Sequence, residues 1–300
     1  ICTIEMKKRV VLFGEMLWDF LKTGPIPGGA PMNVALNLHQ LGYHSQLISS
    51  VGQDKLGSDL LEFLHSFGKD TSLIQTLPNL ETSRVLIDAS DPENIRYEIL
   101  ESGAWDHITV TAEAMEAVKK SDAFIFGSLA VRSEESFKTL LAILPHAKWK
   151  VYDANLRPPY VDFDKINTLL AQTDLLKINE DELVEFAKYF GISKEIKPFC
   201  DHISKEFEIE KICITLGSKG ALIYDRGKIF QHAGYQVKVS DTIGAGDAFL
   251  SGFIYQMLDG KEAVKSLDFG CKLGAYVATQ KGGTPEYSLM QIDRLKLESR

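Results

Sequence analysis

Near its C-terminal end the chain reads Asp241-Thr242-Ile243-Gly244-Ala245-Gly246-Asp247-Ala248-Phe249-Leu250. Two glycines flank a small residue, a carboxylate follows at once, and an apolar helical pattern begins. Glycine lets the backbone turn tightly and come close to a ligand. The first free amides of the helix then point at one spot, where they favour negative charge. Asp247 lies in that first turn, beside the place where an anion would rest. A phosphate cradle with a built-in carboxylate points to phosphoryl transfer to an alcohol. The plainer alternative is a glycine turn capping a helix, with Asp247 as a dipole partner.

Other segments offer matching chemistry. Gly28-Gly29-Ala30-Pro31-Met32-Asn33 opens a second helical stretch. Its di-glycine would let a hydroxylated ligand approach without a Cβ in the way, and Asn33 carries both a donor and an acceptor for hydroxyls. A Gly-Gly turn with Pro31 in a first helical turn would use the same residues. Asp19 follows the apolar run Val10–Phe13 and could accept two hydroxyls. Asp153-Ala154-Asn155-Leu156-Arg157 ends in a guanidinium, whose planar fork suits phosphate oxygens; a surface or capping role for Arg157 fits equally. Asn179 and Glu182, three apart, face the same way at a helix start. They could organise a hydrated Mg²⁺ or simply cap that helix. Thr215-Leu216-Gly217-Ser218-Lys219-Gly220 is a glycine-bearing loop between two apolar runs, and a β-hairpin is expected to carry it.

These segments together resemble the PfkB carbohydrate kinases, the ribokinase-like sugar kinases. The 241–253 and 28–35 strings are similar to that family's two signatures. The resemblance implies that Asp247 is the catalytic base and that the amides of Gly244, Ala245, Gly246 and Asp247 form the anion hole, with Arg157 a candidate for stabilising the transferring phosphate. It implies substrate contacts from Asp19, Gly28, Gly29, Asn33 and Asn155. Nucleotide contacts would come from Lys177, Thr215, Gly217 and Gly220, and magnesium would be organised through waters by Asn179 and Glu182. Lys281-Gly282-Gly283-Thr284-Pro285 matches a region that in relatives lies near the adenine and a monovalent-cation (K⁺) site. ATP and Mg²⁺ are the implied cosubstrate and metal. A helix N-terminus should hold the Asp247 pKa low.

Supporting elements follow from periodicity. Apolar runs at Val10–Phe13, Gln46–Ser50, Ala123–Phe126, Lys150–Asp153, Leu175–Ile178, Lys211–Thr215 and Ala221–Tyr224 alternate with amphipathic stretches such as Leu60–Phe67, Glu134–Leu144 and Glu180–Phe190. That alternation predicts an α/β fold with a mostly parallel sheet covered by helices on both faces, ligands binding at the strands' C-terminal ends. The family resemblance makes it a ribokinase-like three-layer α/β/α domain over 1–300. Segments 16–27 and 84–108 fall outside the rhythm. Arg84–Asp88 and Ile95–Leu100, joined by the turn-rich Ala89–Asn94, suggest a small antiparallel β lid over the sugar site, which in many relatives also forms a homodimer interface.

Composition excludes several classes. A net charge of −8 argues against a nucleic-acid surface. No apolar run approaches the ~18 residues of a membrane span. The first ten residues lack an apolar core and a small-residue cleavage site, so no signal peptide is read there. Residues 1–5 precede Met6 and read as upstream sequence. Cys2, Cys200, Cys213 and Cys271 are widely spaced, which predicts reduced cytoplasmic thiols. The P-loop pattern and the dinucleotide glycine pattern are both missing.

For the substrate, Ala30-Pro31 stands as in fructokinases, where ribokinases and phosphofructokinases of the family carry Lys-Gly. Asn155-Leu156-Arg157 is also fructokinase-like. Tyr97–Asp106 departs: fructokinases commonly have an Arg shortly before an Ala-Asp pair, and here Trp105 separates Ala104 from Asp106 and the stretch holds no Arg. Fructose, phosphorylated to fructose 6-phosphate, is the expected substrate. Ribose, 2-keto-3-deoxygluconate and a nucleoside are the alternatives, and a non-catalytic sugar or nucleotide sensor on the same fold is the rival class.

Overall fold

Alternation along the first strand, β1 (Arg9–Phe13), sets up the layers. Val10 and Leu12 join one apolar cluster with Met32, Leu36, Phe249 and Leu267. Val11 and Phe13 join the other, with Leu140, Ile166, Phe186 and Phe199. A strand apolar on both faces needs cover on both faces. The structure is a computed structural model and describes residues 7–21, 24–88, 96–294 and 298–299.

From β1 the chain forms β2 (Leu17–Leu21), β3 (Gly24–Gly28), α1 (Ala30–Gln40), β4 (His44–Gly52), α2 (Lys55–Ser66), β5 (Ile74–Leu77), β6 (Arg84–Asp88) and β7 (Arg96–Ile99). It continues as α3 (Ala112–Lys120), β8 (Ala123–Gly127), α4 (Glu134–Ile143), β9 (Lys150–Asp153), α5 (Phe163–Leu170), β10 (Leu175–Asn179), α6 (Glu180–Phe190) and α7 (Ile196–Phe207). The last third holds β11 (Lys211–Thr215), β12 (Ala221–Asp225), β13 (Lys228–His232), α8 (Ala245–Leu258) and α9 (Ala263–Ala278). The main sheet has nine strands in the order β13-β12-β11-β10-β9-β8-β1-β4-β5. From β11 to β5 every pairing is parallel, while β12 and β13 are antiparallel. The α/β expectation and its mostly parallel sheet hold.

Two strands of the main sheet escaped the sequence pattern. β5 and β13 are short edge strands whose side chains are half-buried or exposed, so neither shows an apolar run. The smaller sheet, ordered β3-β2-β6-β7, corrects a second expectation. It is mixed rather than antiparallel, because β2 and β6 run parallel. A full β4–α2–β5 excursion separates them and brings the chain back to the same end. Asp19, Val85 and Ile99 lie in register across β2, β6 and β7. The sheet ends at Ile99; Ala104–His107 is a 3-10 turn that buries Trp105 in the body's core. The expected linker Ala89–Asn94 and residues 1–5 lie outside the described residues.

Among the described residues no helix is long and apolar enough to cross a membrane. Cys200, Cys213 and Cys271 are buried and unpaired; Cys2 lies outside the described residues.

Candidate active site

Parallel register brings the chemistry to one edge of the sheet. At the end of β9, Asp153 pairs in register with Lys177 in the middle of β10, and Asn179 pairs with Thr215 at the ends of β10 and β11. Lys177 Nζ donates to Asp153 Oδ1 at 2.9 Å, with both side chains 7 % exposed. Burial works against the Lys177 charge, yet Asp153 and Glu182 hold its pKa above the usual lysine value. The ammonium lies beneath the first turn of α8, 3.8 Å from where a Cβ on Gly246 would sit.

Gly244 precedes α8 with φ +72°. A side chain there would be strained, and its Cβ would meet Gly283 Cα at 2.3 Å. The 281–285 segment therefore buttresses the helix start, where Asp241 also accepts from the amides of Ile243 and Gly282. The amide of Ala245 is engaged with Thr242 O at 3.2 Å, which leaves Gly246 and Asp247 as first-turn donors without intrahelical partners. Asp247 is half-buried at the cleft, and Asn33 Nδ2 donates to its Oδ2 at 2.9 Å. Its pKa does not stay low. Burial, and then the Asp153 charge, push it up to about 6, against the pull of Asn33, Lys177 and Arg157. The helix start does not outweigh desolvation of a carboxyl packed in by protein.

Packing alone already requires the di-glycine. A Cβ on Gly28 would sit 2.3 Å from Asp19 Oδ2, and one on Gly29 2.5 Å from the carbonyl oxygen of Glu15. Protein takes the space that a side chain would need. The turn presses Asp19 and the Glu15 backbone against the start of α1, with Gly29 at φ +113°.

Glu15 was not singled out from the sequence. It is 3 % exposed, and its Oε1 accepts from Ala30 N at 3.3 Å. Burial raises its pKa to about 7; Arg157 lowers it and Asp247 raises it further. Asp19 feels the same surroundings: burial lifts it to about 6, with Arg157 opposing and Asp247 adding. Glu15, Asp19 and Asp247 thus share one electrostatic neighbourhood with Arg157, whose side chain is exposed. The sequence signal for Glu15 was its place just ahead of the strand that carries Asp19.

Asn155 follows β9 with φ +40°, a left-handed conformation that asparagine tolerates. It lines a water-sized cavity of about 10 Å³ with Glu15 and Asp153. Asn179 and Glu182 form a capping box. Asn179 Oδ1 accepts from Glu182 N and Glu182 Oε2 from Asn179 N, both at 2.8 Å. Glu182 Oε1 accepts from Leu156 N at 2.8 Å, tying α6 to the loop that carries Arg157. Thr215, Gly217 and Gly220 sit on the β11–β12 hairpin, as expected, with Leu216 N donating to Gly220 O at 2.8 Å.

Known proteins resemble this chain along most of its length. A fructokinase of Escherichia coli is 27 % identical over 297 residues, covering 92 % of this chain and 95 % of its own. An ATP-dependent 6-phosphofructokinase of Thermoanaerobacterium thermosaccharolyticum is 28 % identical over 314 residues, covering 97 % and 94 %. Among solved structures, a fructokinase double mutant of Vibrio cholerae in its fructose-, ADP- and potassium-bound form superposes with a TM-score of 0.82. It is 22 % identical and covers 95 % of this chain and 97 % of its own. That likeness bears out the ribokinase-like fold. The sequence model of the pfkB family carbohydrate kinases matches residues 10–288, and the chain belongs to that family.

Proposed function

We propose that this protein is an ATP-dependent sugar kinase that transfers the γ-phosphoryl group to a primary hydroxyl of free fructose, at O6. The carrying observation is the shared neighbourhood of Asp19, Asp247 and Arg157: a hydroxyl ligand on the lid, a carboxylate base at a helix start, and an exposed guanidinium acting on both. Asp19, with Gly28, Gly29, Asn33 and Asn155 around it, would hold the sugar. Asp247 then accepts the hydroxyl proton as the new O–P bond forms and the bond to ADP breaks. Its pKa of about 6 leaves it ionised at neutral pH and makes it a stronger base than an exposed aspartate. The amides at the start of α8 and Arg157 stabilise charge on the moving phosphoryl group. The β11–β12 hairpin and Lys177 would flank the nucleotide, and the lid would exclude water.

Mg²⁺ would enter on the ATP phosphates. Both Glu182 oxygens already accept backbone amides, so that carboxylate does not fit direct metal ligation, and no step is assigned to a protein-held ion. A monovalent-cation site near 281–285, a cytoplasmic location and a homodimer through the lid complete the proposal. Leu86 is 47 % exposed on that sheet.

Overall similarity does not choose between free sugar and sugar phosphate, since the fructokinase and the phosphofructokinase match equally well. Local charge favours the free sugar. Ala30 and Pro31 supply no cation, and Lys177 is bound to Asp153. A substrate dianion would face Glu15, Asp19 and Asp247, with Arg157 already assigned to the moving phosphoryl group, at a desolvation cost of several kcal/mol. An ADP-release panel of fructose, ribose, 2-keto-3-deoxygluconate, a nucleoside and fructose 6-phosphate tests this. Fructose should have the highest kcat/KM. Preference for fructose 6-phosphate overturns the free-sugar assignment, and sugar binding without ADP release overturns the kinase in favour of a sensor.

A further inference from the structure

The lid and the Arg157 loop meet at a single packed point. Arg132, two residues before α4, stacks between two rings, with its guanidinium carbon 4.1 Å from the centroid of Trp105 and 4.7 Å from that of Tyr160. Its Nε and Nη2 donate to Asp106 at 2.8 and 2.7 Å, and Nη2 also donates to Leu100 O at 2.6 Å. The side chain is 7 % exposed. Tyr160 Oη donates to Ile99 O at 3.2 Å. Two consecutive carbonyls at the end of β7 are therefore held by two side chains that stack on each other.

Each end of this cluster leads to a ligand-facing residue. On the lid side, Ile99 is in register with Val85, and Val85 with Asp19. On the body side, Tyr160 N donates to Arg157 O at 2.8 Å, closing the turn that carries Arg157. Arg132 serves this geometry although its buried Nη1 has no partner among the described residues, a cost that a surface arginine would not bear. Its planar fork cannot be replaced by lysine.

We infer that Arg132 and Tyr160 are positioning residues that set the distance between Asp19 on the lid and Arg157 on the body, and through it the affinity for sugar and the coupling of ATP use to sugar phosphorylation. Neither touches the reacting atoms. This rests on Asp19 as a sugar ligand and Arg157 as a phosphate ligand.

Two variants test it, each measured with the sugar that the wild type phosphorylates best. Tyr160→Phe removes only the hydroxyl that bonds Ile99. Arg132→Gln combined with Asp106→Asn removes both buried charges together, so neither is left unpaired. Sugar KM should rise about fivefold in the first and tenfold or more in the second, with ATP KM unchanged. ADP formed without sugar phosphate should increase in both. Hydrogen exchange, measured without any ligand, should quicken together at the end of β7 and in the 157–160 turn. Unchanged sugar KM, an equal rise in ATP KM, or unchanged exchange in the 157–160 turn overturns the inference. A wild type that phosphorylates no sugar of the panel fails the kinase proposal instead, and the exchange measurement still decides the linkage.

Discussion

Asn33 and Asp247, 214 positions apart in sequence, are joined by a 2.9 Å hydrogen bond. The bond stabilises the ionised carboxylate and so opposes the burial that raises the Asp247 pKa to about 6. Since the base must be ionised, kcat should fall about tenfold per pH unit below that value. Asn33→Leu should move this acid limb to higher pH. A kcat profile flat from pH 5 to 8 in the wild type would show that another step, or another group, controls turnover.

Asp247→Asn removes the base while keeping the shape. The expected loss in kcat is about 10²–10⁴-fold, with ATP KM little changed. Steady-state kinetics check this, and a variant with near-full kcat would displace Asp247 from its assigned role.

Asp19→Ala should act on the sugar. Loss of hydrogen bonds to a charged acceptor should raise sugar KM by roughly tenfold or more. ATP binding, measured by calorimetry without sugar, should be unaffected. Equal loss of both affinities would mean that Asp19 supports the fold rather than the ligand.

Glu15 makes the free protein pH-sensitive. Its pKa is about 7 when folded, against an ordinary 4.5, so between those values the folded state holds more protons than the unfolded one. Stability attributable to this group is full below pH 4.5 and is lost as pH rises through 7. Once ionised, it destabilises by roughly 3 kcal/mol. Glu15→Gln should raise the melting temperature at pH 8 and hardly at all at pH 5. Parallel wild-type and variant melting curves across that range would refute the assignment.

Glu182→Gln separates capping from metal binding. The capping box and the Leu156 contact predict a stability loss of about 1–3 kcal/mol. A magnesium role predicts a higher Mg²⁺ requirement as well. Denaturant melts and a Mg²⁺ titration of kcat distinguish the two.

Much of this site was legible in the sequence, for identifiable reasons. The helix Glu180–Phe190 and the strand Arg84–Asp88 were read to the residue because periodicity and capping chemistry are local. The parallel pairing of β2 with β6 was not legible, because pairing depends on where the chain returns after α2 and β5. The raised pKa values of Glu15, Asp19 and Asp247 were hidden for a related reason. A carboxyl's sequence neighbours suggest its dipoles, whereas its desolvation is set by segments far away in the chain. Trp105 looked like an interruption between Ala104 and Asp106. In the fold it is a fully buried platform for Arg132.

The close approach of Gly244 to Gly283 has a consequence for biosynthesis. All nine strands of the main sheet precede Asp241, so a nascent chain can assemble that layer before the 281–285 segment has been translated. The start of α8 gains its backing only when that segment docks. Catalytic competence should therefore follow, rather than accompany, assembly of the sheet. A chain ending at residue 280 should show the sheet's circular-dichroism signature with no sugar phosphorylation. Full turnover from that truncated chain would show that the helix start needs no such backing.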